Sequence, residues 1–181
     1  MTRPSCKEFI LESAEAVVLG DGAGKLTLDA VAKRAKVSKG GVLYHFPTKE
    51  ALVEAMVNRL VSGTAARRDE ALAALSDSPA RELKAELSSL LQMRDKELRV
   101  GAALLAVVAN EPKLLQPVVE IVRKRFGDHA GTGTNGLRRA MLLLAADGLH
   151  FLELLQISPL NESQRAAIVD EMNHLAEEWT P

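Results

Sequence analysis

Residues 37–50 read Val-Ser-Lys-Gly-Gly-Val-Leu-Tyr-His-Phe-Pro-Thr-Lys-Glu, and this segment predicts a short helix enclosed between two helix caps. Ser38 is a natural N-cap for the short helix, and Thr48 is the corresponding cap of the helix that follows. Upstream, Ser5 with Glu8 predicts a capping box at the start of the first of two earlier helices. Three helices within about fifty residues, the last two short and joined by a tight turn, are typical of a helix-turn-helix.

The two faces of the short helix differ in character. Val42 and Phe46 lie four residues apart, so both point toward the core. Gly40, Gly41 and Tyr44 therefore lie on the opposite face. Two adjacent glycines cost a helix about 1 kcal/mol each relative to alanine, and the missing Cβ lets the backbone approach a partner closely. This face is thus a candidate surface for contact with a macromolecular groove.

Positive charge is concentrated around this segment. The whole sequence carries 23 Lys and Arg against 24 Asp and Glu, a net charge of -1, which excludes a uniformly basic nucleic-acid coat. Residues 28–49, however, contain five Lys or Arg side chains and a single acid, Asp29. A local excess of bases is typical of a phosphate-binding surface, whereas a solvated structural face would intersperse acids among them. The five basic residues are Lys33, Arg34, Lys36, Lys39 and Lys49.

The sequence Leu-Thr-Leu-Asp-Ala-Val-Ala at 26–32, followed by residues 37–52, resembles the DNA-binding segment of TetR-type bacterial transcriptional regulators. The resemblance covers about residues 5–60, a third of the chain. It implies a homodimer that binds a palindromic operator on double-stranded DNA, usually as a repressor, and is released by a small molecule. The implied fold is all-α with about nine helices: an N-terminal three-helix helix-turn-helix domain over 1–50 and a C-terminal helical domain for ligand sensing and dimerisation over 51–181.

Carried over by position, the resemblance implies bases facing Lys39, Gly40, Gly41 and Tyr44, and phosphates held by Thr27, Tyr44, His45 and Lys49. The chain departs from the family pattern at Leu43, where many members have an aromatic residue, and at Gly41, where they have threonine. These departures shift base reading toward Lys39 and Tyr44. The full candidate DNA-binding set is Thr27, Lys36, Ser38, Lys39, Gly40, Gly41, Tyr44, His45 and Lys49.

Two apolar rows in the last third of the chain predict dimerisation. The rows lie on a helix predicted over about 137–157 and on a final helix that Asn161 caps, and two such helices per chain can pair with those of a second copy. The alternative is that both rows belong only to the core of one chain. The candidate interface residues are Leu137, Met141, Leu144, Gly148, Phe151, Leu155, Ile168, Met172, Leu175 and Trp179.

The middle helices supply candidates for an effector pocket. Their aliphatic character favours a small apolar effector, although any one of these residues taken alone is more typical of ordinary core. Pro117, expected to kink its helix or to mark its start, and a glycine-rich mobile loop at 127–136 are places where a pocket could open. The candidates are Leu87, Leu90, Leu91, Met93, Leu104, Leu105, Val108, Val122 and Phe126.

The sequence disfavours an enzyme. It contains no P-loop, dinucleotide-binding fingerprint, nucleophile elbow or zinc motif, and we expect neither a cofactor nor a metal. Two rows of Asp, His and Glu each lie on a single predicted helix, so solvated or hydrogen-bonded side chains are favoured over metal ligands. The first row is Asp147, His150 and Glu153, and the second is Asp170, His174 and Glu178.

We expect a cytoplasmic protein without a membrane segment. The lone Cys6 excludes an internal disulfide, and the apolar runs are shorter than the ~18–20 residues that a membrane-spanning helix needs. Glu8, Glu12 and Glu15 stand where a secretory signal would be uncharged. Two alternative functions stay open at this point: a ligand-independent helical DNA-binding dimer, and a soluble carrier of apolar small molecules.

Overall fold

The computed structural model describes residues 5–109 and 111–180, which form nine α-helices, two 3-10 turns and no β-strand. The prediction of an all-α fold with about nine helices is confirmed. The helices are α1 (Cys6–Gly20), α2 (Leu28–Ala35), α3 (Lys39–His45), α4 (Lys49–Ala74), α5 (Arg81–Leu91), α6 (Asp95–Val108), α7 (Gln116–His129), α8 (Thr134–Leu154) and α9 (Glu162–Glu178), with 3-10 turns at Ala23–Lys25 and Pro112–Leu115.

One compact unit contains the chain up to Leu60 together with Asp95–Val118. Its core is formed by the inward faces of α1, α2, α3, the first half of α4 and α6, and Phe46 is the bulkiest of the fully buried side chains described. Burial of such a side chain contributes about 1.5–3 kcal/mol. The unit extends past residue 50 and includes a distant segment, so it differs from the expected division at that residue. The assignment of separate functions to 1–50 and 51–181 stays a prediction.

An ion-pair network joins α1 to α4 and α6 inside this unit. Ser5 accepts from the Glu8 amide at 3.2 Å, but the Glu8 carboxylate accepts from Arg59 Nη1 at 3.0 Å. The predicted capping box is therefore replaced by a simple cap and a long-range ion pair. Glu15 is nearly buried, and its carboxylate forms ion pairs with Arg59 Nε at 3.2 Å and with Lys96 Nζ at 2.6 Å. The two cations offset the cost of removing this carboxylate from water, whereas an unpaired carboxylate at this place would destabilise the fold.

The other compact unit contains Val61–Arg94 and the chain from Val119 onward. Its core joins the aliphatic faces of α5, α8 and α9. Arg125 of α7 is only 6% exposed, and its Nη2 donates to both oxygens of Asp147 on α8, at 2.5 and 2.6 Å. A buried guanidinium needs such a partner, so this pair fixes α7 against α8.

The glycine-rich stretch 127–136 is mostly helical, contrary to the expectation of a mobile loop. Helix α7 continues to His129 and α8 begins at Thr134, which leaves residues 130–133 as the connection. Pro117 is the second residue of α7, where the missing N–H of proline costs nothing. Of the two roles considered for this proline, it therefore marks the start of the helix.

Gly136 is needed for the close approach of one chain segment to another within this stretch. A Cβ added at Gly136 would lie 2.3 Å from the carbonyl carbon of Gly131, a distance that real side chains do not adopt. Arg139 Nε donates to the carbonyl of His129 at 2.8 Å and closes the same turn. Glycine here permits tight packing, and this is why the loop prediction is wrong.

Gly136→Ala should destabilise the protein by about 1–3 kcal/mol, because the added methyl group collides with the backbone of Gly131. Gly127→Ala is the matched control, since this helical glycine has no atom within 4 Å of an added Cβ. Alanine at Gly127 should stabilise the helix by up to about 1 kcal/mol. Urea denaturation followed by circular dichroism measures both variants, and equal loss of stability would contradict the close approach.

Candidate nucleic-acid interface

The turn between α2 and α3 is set by the backbone of Lys36. This residue ends α2 in the left-handed conformation (φ 53°, ψ 38°), and its N–H donates to the carbonyls of Ala32 and Lys33. The N–H of Val37 donates to the carbonyl of Ala32 at 3.1 Å, so the chain reverses within two residues. A left-handed residue with a Cβ costs about 1–2 kcal/mol. The side chain of Lys36 is exposed and adds a positive charge next to α3.

Helix α3 presents the two faces that the sequence predicts. Val42 is fully buried and Phe46 is 2% exposed, whereas Tyr44 is 84% exposed. The Ser38 hydroxyl accepts from the N–H of Gly41 at 3.1 Å and caps the helix. The side that carries Tyr44 is therefore a surface, and the opposite side is part of the core.

Neither Gly40 nor Gly41 is required by the fold. Both lie outside the left-handed region, in which only Gly22 and Gly133 are found among the described glycines. A Cβ at Gly40 would lie 3.9 Å from Ser38 Oγ, and one at Gly41 would lie 3.4 Å from it, which are ordinary contacts. Alanine would therefore fit and would favour the helix. The bare backbone at this surface points to a requirement outside the chain.

The exposed side chains of α3 have defined neighbours. Lys39 Nζ donates to Asp29 Oδ2 at 3.0 Å, which joins the first turns of α2 and α3. The rings of Tyr44 and His45 meet edge to face, with their centroids 5.0 Å apart. The sequence shows Asp29 only as a lone acid among bases, because its pairing with Lys39 depends on the turn between the two helices.

The N-termini of α2 and α4 differ as anion sites. Thr27 Oγ1 accepts from the N–H of Ala30 at 3.1 Å, and Thr48 Oγ1 accepts from the N–H of Ala51 at 3.1 Å. At α4, however, the Glu50 carboxylate accepts from its own N–H and from Thr48, and these hydrogen bonds lower the pKa of Glu50. Both ends therefore carry an acid: the Glu50 carboxylate uses an amide at the start of α4, whereas the Asp29 carboxylate in the first turn of α2 pairs with Lys39.

None of the nine candidate DNA-binding residues is buried, and all of them belong to the first compact unit. Gly41 and His45 are half-buried, and the other seven are exposed. Lys7 of α1, which the sequence reasoning missed, places its ammonium 5.9 Å from the centroid of the Phe46 ring. No local pattern connects residues so far apart in sequence. The individual contacts of the nine residues with DNA stay predictions.

The candidate interface row on α8 lies on the surface of its unit. Leu137, Met141, Leu144 and Phe151 are 62%, 66%, 60% and 52% exposed. Leu155 is also exposed, and so is the backbone of Gly148, where an added Cβ would have no atom within 4 Å. The opposite side of α8 is buried in the second core. This helix therefore carries an apolar face for which its own unit provides no cover.

The row on α9 requires a correction. Met172 is 7% exposed and lies in the core of the second unit, where Leu175 and Trp179 pack against it as half-buried side chains. Only Ile168 of this row is exposed. Helical spacing identified an apolar face correctly, but this face packs on α5 and α8 of the same chain.

The nine candidate effector residues do not form one group. Leu104 and Val108 lie in the core of the first unit, and the half-buried Leu105 is on the same helix. The other six candidates belong to the second unit. This unit contains a cavity of about 670 Å³ between α4, α5 and α9, and only two of the six candidates, Leu87 and Leu91, line it. The remaining lining is Arg67, Glu70, Ala71, Ala74, Leu75, Lys84, Ser88, Gln92, Arg94, Val169 and Asn173.

Polar residues of the first row considered for metal binding have partners within the second unit. Asp147 pairs with Arg125, and Glu153 pairs with Arg165. Burial lowers the pKa of His150, so its imidazole is predominantly neutral near pH 7. In the part of the chain that the structure describes, no three His, Cys, Asp or Glu side chains come together as a metal site.

Two family models match the chain. Residues 10–56 match the model described as bacterial regulatory proteins of the tetR family, and residues 80–177 match the model described as a tetracyclin repressor-like C-terminal domain. No curated protein sequence matches significantly. Among residues 5–109 and 111–180, the structure contains no helix with the length and apolarity that a membrane crossing requires.

Solved structures share the architecture over almost their whole length. A transcriptional regulator from Rhodococcus sp. Rha1 is 27% identical, with a TM-score of 0.62 and coverage of 96% of this chain and 93% of that one. The multidrug binding protein EbrR, complexed with imidazole, is 24% identical, with a TM-score of 0.68 and coverage of 94% and 96%. The fatty acid degradation regulator FadR from Bacillus halodurans is 14% identical, with a TM-score of 0.68 and coverage of 98% and 97%.

Proposed function

Because the chain belongs to the TetR family of bacterial transcriptional regulators, which are DNA-binding proteins and not enzymes, we propose that it is a ligand-responsive repressor. It binds a palindromic operator as a homodimer in the cytoplasm, where the bacterial chromosome lies, and a small molecule releases it. The observation that carries the proposal is the surface of α3, on which Tyr44 is 84% exposed beside two glycines that the fold does not need.

The surface of α3 fits the major groove of DNA. Without side chains at Gly40 and Gly41, the first turn of the helix approaches the base edges closely, and Lys39 and Tyr44 reach acceptors and phosphates on either side. Thr27 and Lys49 add phosphate contacts at the starts of α2 and α4. A single helix of seven residues reads few base pairs, so specific binding requires two copies about 34–36 Å apart on one face of the duplex.

The exposed row on α8 supports the homodimer. A row of large apolar side chains in water is unfavourable, and contiguous apolar patches mark interaction sites. A two-fold axis places the row of one copy against the row of the other, and Gly148 lets the two helices approach closely. Since most of the α9 row packs on its own core, the proposed interface is centred on α8 with Ile168 at its edge.

The cavity of the second unit supports a response to a ligand, but of a different class from the one expected. One part of its lining is aliphatic, and another part carries Arg67, Lys84 and Arg94 together with Glu70. Lys84 pairs with Glu177 at 2.6 Å and Arg67 donates to the carbonyl of Ser89, so the positive charge of this part is only partly balanced. An apolar lining with a few charged groups favours an amphipathic molecule with an anionic head. We therefore propose such an effector instead of a purely apolar one. The ligand-independent dimer is the competing function if the cavity binds nothing.

Selection from a random duplex library should enrich a palindromic sequence, and Gly40→Ala should weaken binding to it about tenfold or more. The methyl group separates the helix from the groove floor, while the helix itself gains up to about 1 kcal/mol. Fluorescence anisotropy at 0.15 M salt measures the affinity, and thermal unfolding measures the stability. Gly127→Ala is the control for a helical glycine away from this surface. Unchanged affinity in Gly40→Ala would contradict the assigned groove contact.

Leu144→Glu should convert the dimer to a monomer, because it buries two unpaired carboxylates near the two-fold axis. Ala73→Glu is the control, since Ala73 is exposed on α4 and lies outside the proposed interface. Sedimentation equilibrium measures the mass of both variants. A wild-type monomer at micromolar concentration, or a Leu144→Glu variant that stays dimeric, would contradict the interface.

Decanoate should raise the melting temperature of the wild-type protein by at least about 2 °C and should weaken operator binding, because it binds one conformation preferentially. Ala71→Trp should abolish both effects by filling the cavity, and decyltrimethylammonium, with the opposite charge, should have neither effect. Differential scanning calorimetry and anisotropy provide the two measurements. Equal shifts for both detergents, or a shift that survives Ala71→Trp, would contradict binding in this cavity.

A further inference from the structure

Asp29 places a negative charge on the surface that approaches DNA. It is the only acid among residues 28–49, and its carboxylate is 69% exposed. A duplex carries one negative charge per about 1.7 Å of its axis, so an exposed carboxylate here opposes binding of any sequence. Asp29 lies in the first turn of α2, where an acid favours the helix dipole. The favourable interaction with the helix dipole explains an acid at this position, but it does not explain why the Asp29 carboxylate contacts another helix.

The contact is with the first residue of α3. Lys39 Nζ lies 3.0 Å from Asp29 Oδ2, and both side chains are more than half exposed. Ion pairs exposed to this degree contribute little to folding, so stability does not account for the pair. The ion pair instead positions the Lys39 ammonium group, because the carboxylate restricts the positions that a long, flexible lysine side chain can occupy.

We propose that Asp29 is a positioning residue that determines specificity through Lys39. This rests on the proposed contact of Lys39 with bases. Paired with Asp29, the Lys39 ammonium adds no net charge, so the pair contributes little to the attraction to phosphates that dominates binding to unrelated DNA. To reach a base acceptor at the start of α3, such as guanine O6 or N7, the ammonium can keep Asp29 as an acceptor, because it has three protons to donate. The pair therefore penalises binding to unrelated DNA more than binding to the operator.

The test is a double-mutant cycle with Asp29→Asn, Lys39→Ala and the combined variant. For each protein, affinity is measured for the selected duplex and for an unrelated duplex at several salt concentrations. Asp29→Asn should tighten binding to the unrelated duplex about tenfold, and the slope of its affinity against salt concentration should increase by the equivalent of about one phosphate contact. The affinity for the selected duplex should change less than about threefold. In the Lys39→Ala background, Asp29→Asn should change the ratio of the two affinities less than twofold.

Asp21→Asn is the charge-matched control, because this exposed acid at the end of α1 belongs to the same unit. Asp29→Glu should restore most of the wild-type ratio, since it retains a carboxylate within reach of Lys39. Thermal unfolding checks that each variant is folded. The inference is overturned if Asp29→Asn and Asp21→Asn act alike, or if the effect of Asp29→Asn persists without Lys39. If the wild-type protein enriches no sequence at all, the proposed function itself fails.

Discussion

The proposed DNA-binding surface depends on the burial of one side of a helix that is too short to persist alone. Helix α3 has seven residues, and isolated helices shorter than about 12–15 residues are marginal in water. Its caps fix the two ends, but Val42 and Phe46 hold its position in a core shared with α1, α2, α4 and α6. Since those two side chains anchor the helix, Gly40 and Tyr44 on the other face are left to serve a partner.

The core beneath α3 includes residues from a distant part of the sequence. Helix α6 contributes Leu104 and Val108 to it, and Lys96 at the start of α6 pairs with the nearly buried Glu15 of α1. At both ends, the chain around α6 continues into residues of the second unit.

Local signals were read well from the sequence, and long-range ones were not. Ser38 and Asn161 were identified as caps because capping involves residues three positions apart, and the buried face of α3 followed from helical spacing. The same spacing could not reveal what covers an apolar face, so Met172 was assigned to an interface although it lies in the core. The effector candidates do not come together for a related reason, because similar aliphatic rows on different helices belong to different units. The pairing of Asp29 with Lys39 depends on a turn that no periodicity describes.

Two requirements oppose each other at Lys36: its left-handed backbone favours a different residue type, and its position beside α3 favours a positive charge. Glycine or asparagine would adopt this backbone at lower cost, so selection for thermal robustness alone would drive the residue toward either of them. Both replacements would delete a cation beside the surface of α3 and slow the electrostatic capture of an anionic polymer. Lysine at this turn therefore keeps a cation beside α3 at the expense of a less favourable backbone, and in concentrated salt, which screens that charge, the same exchange would bring less.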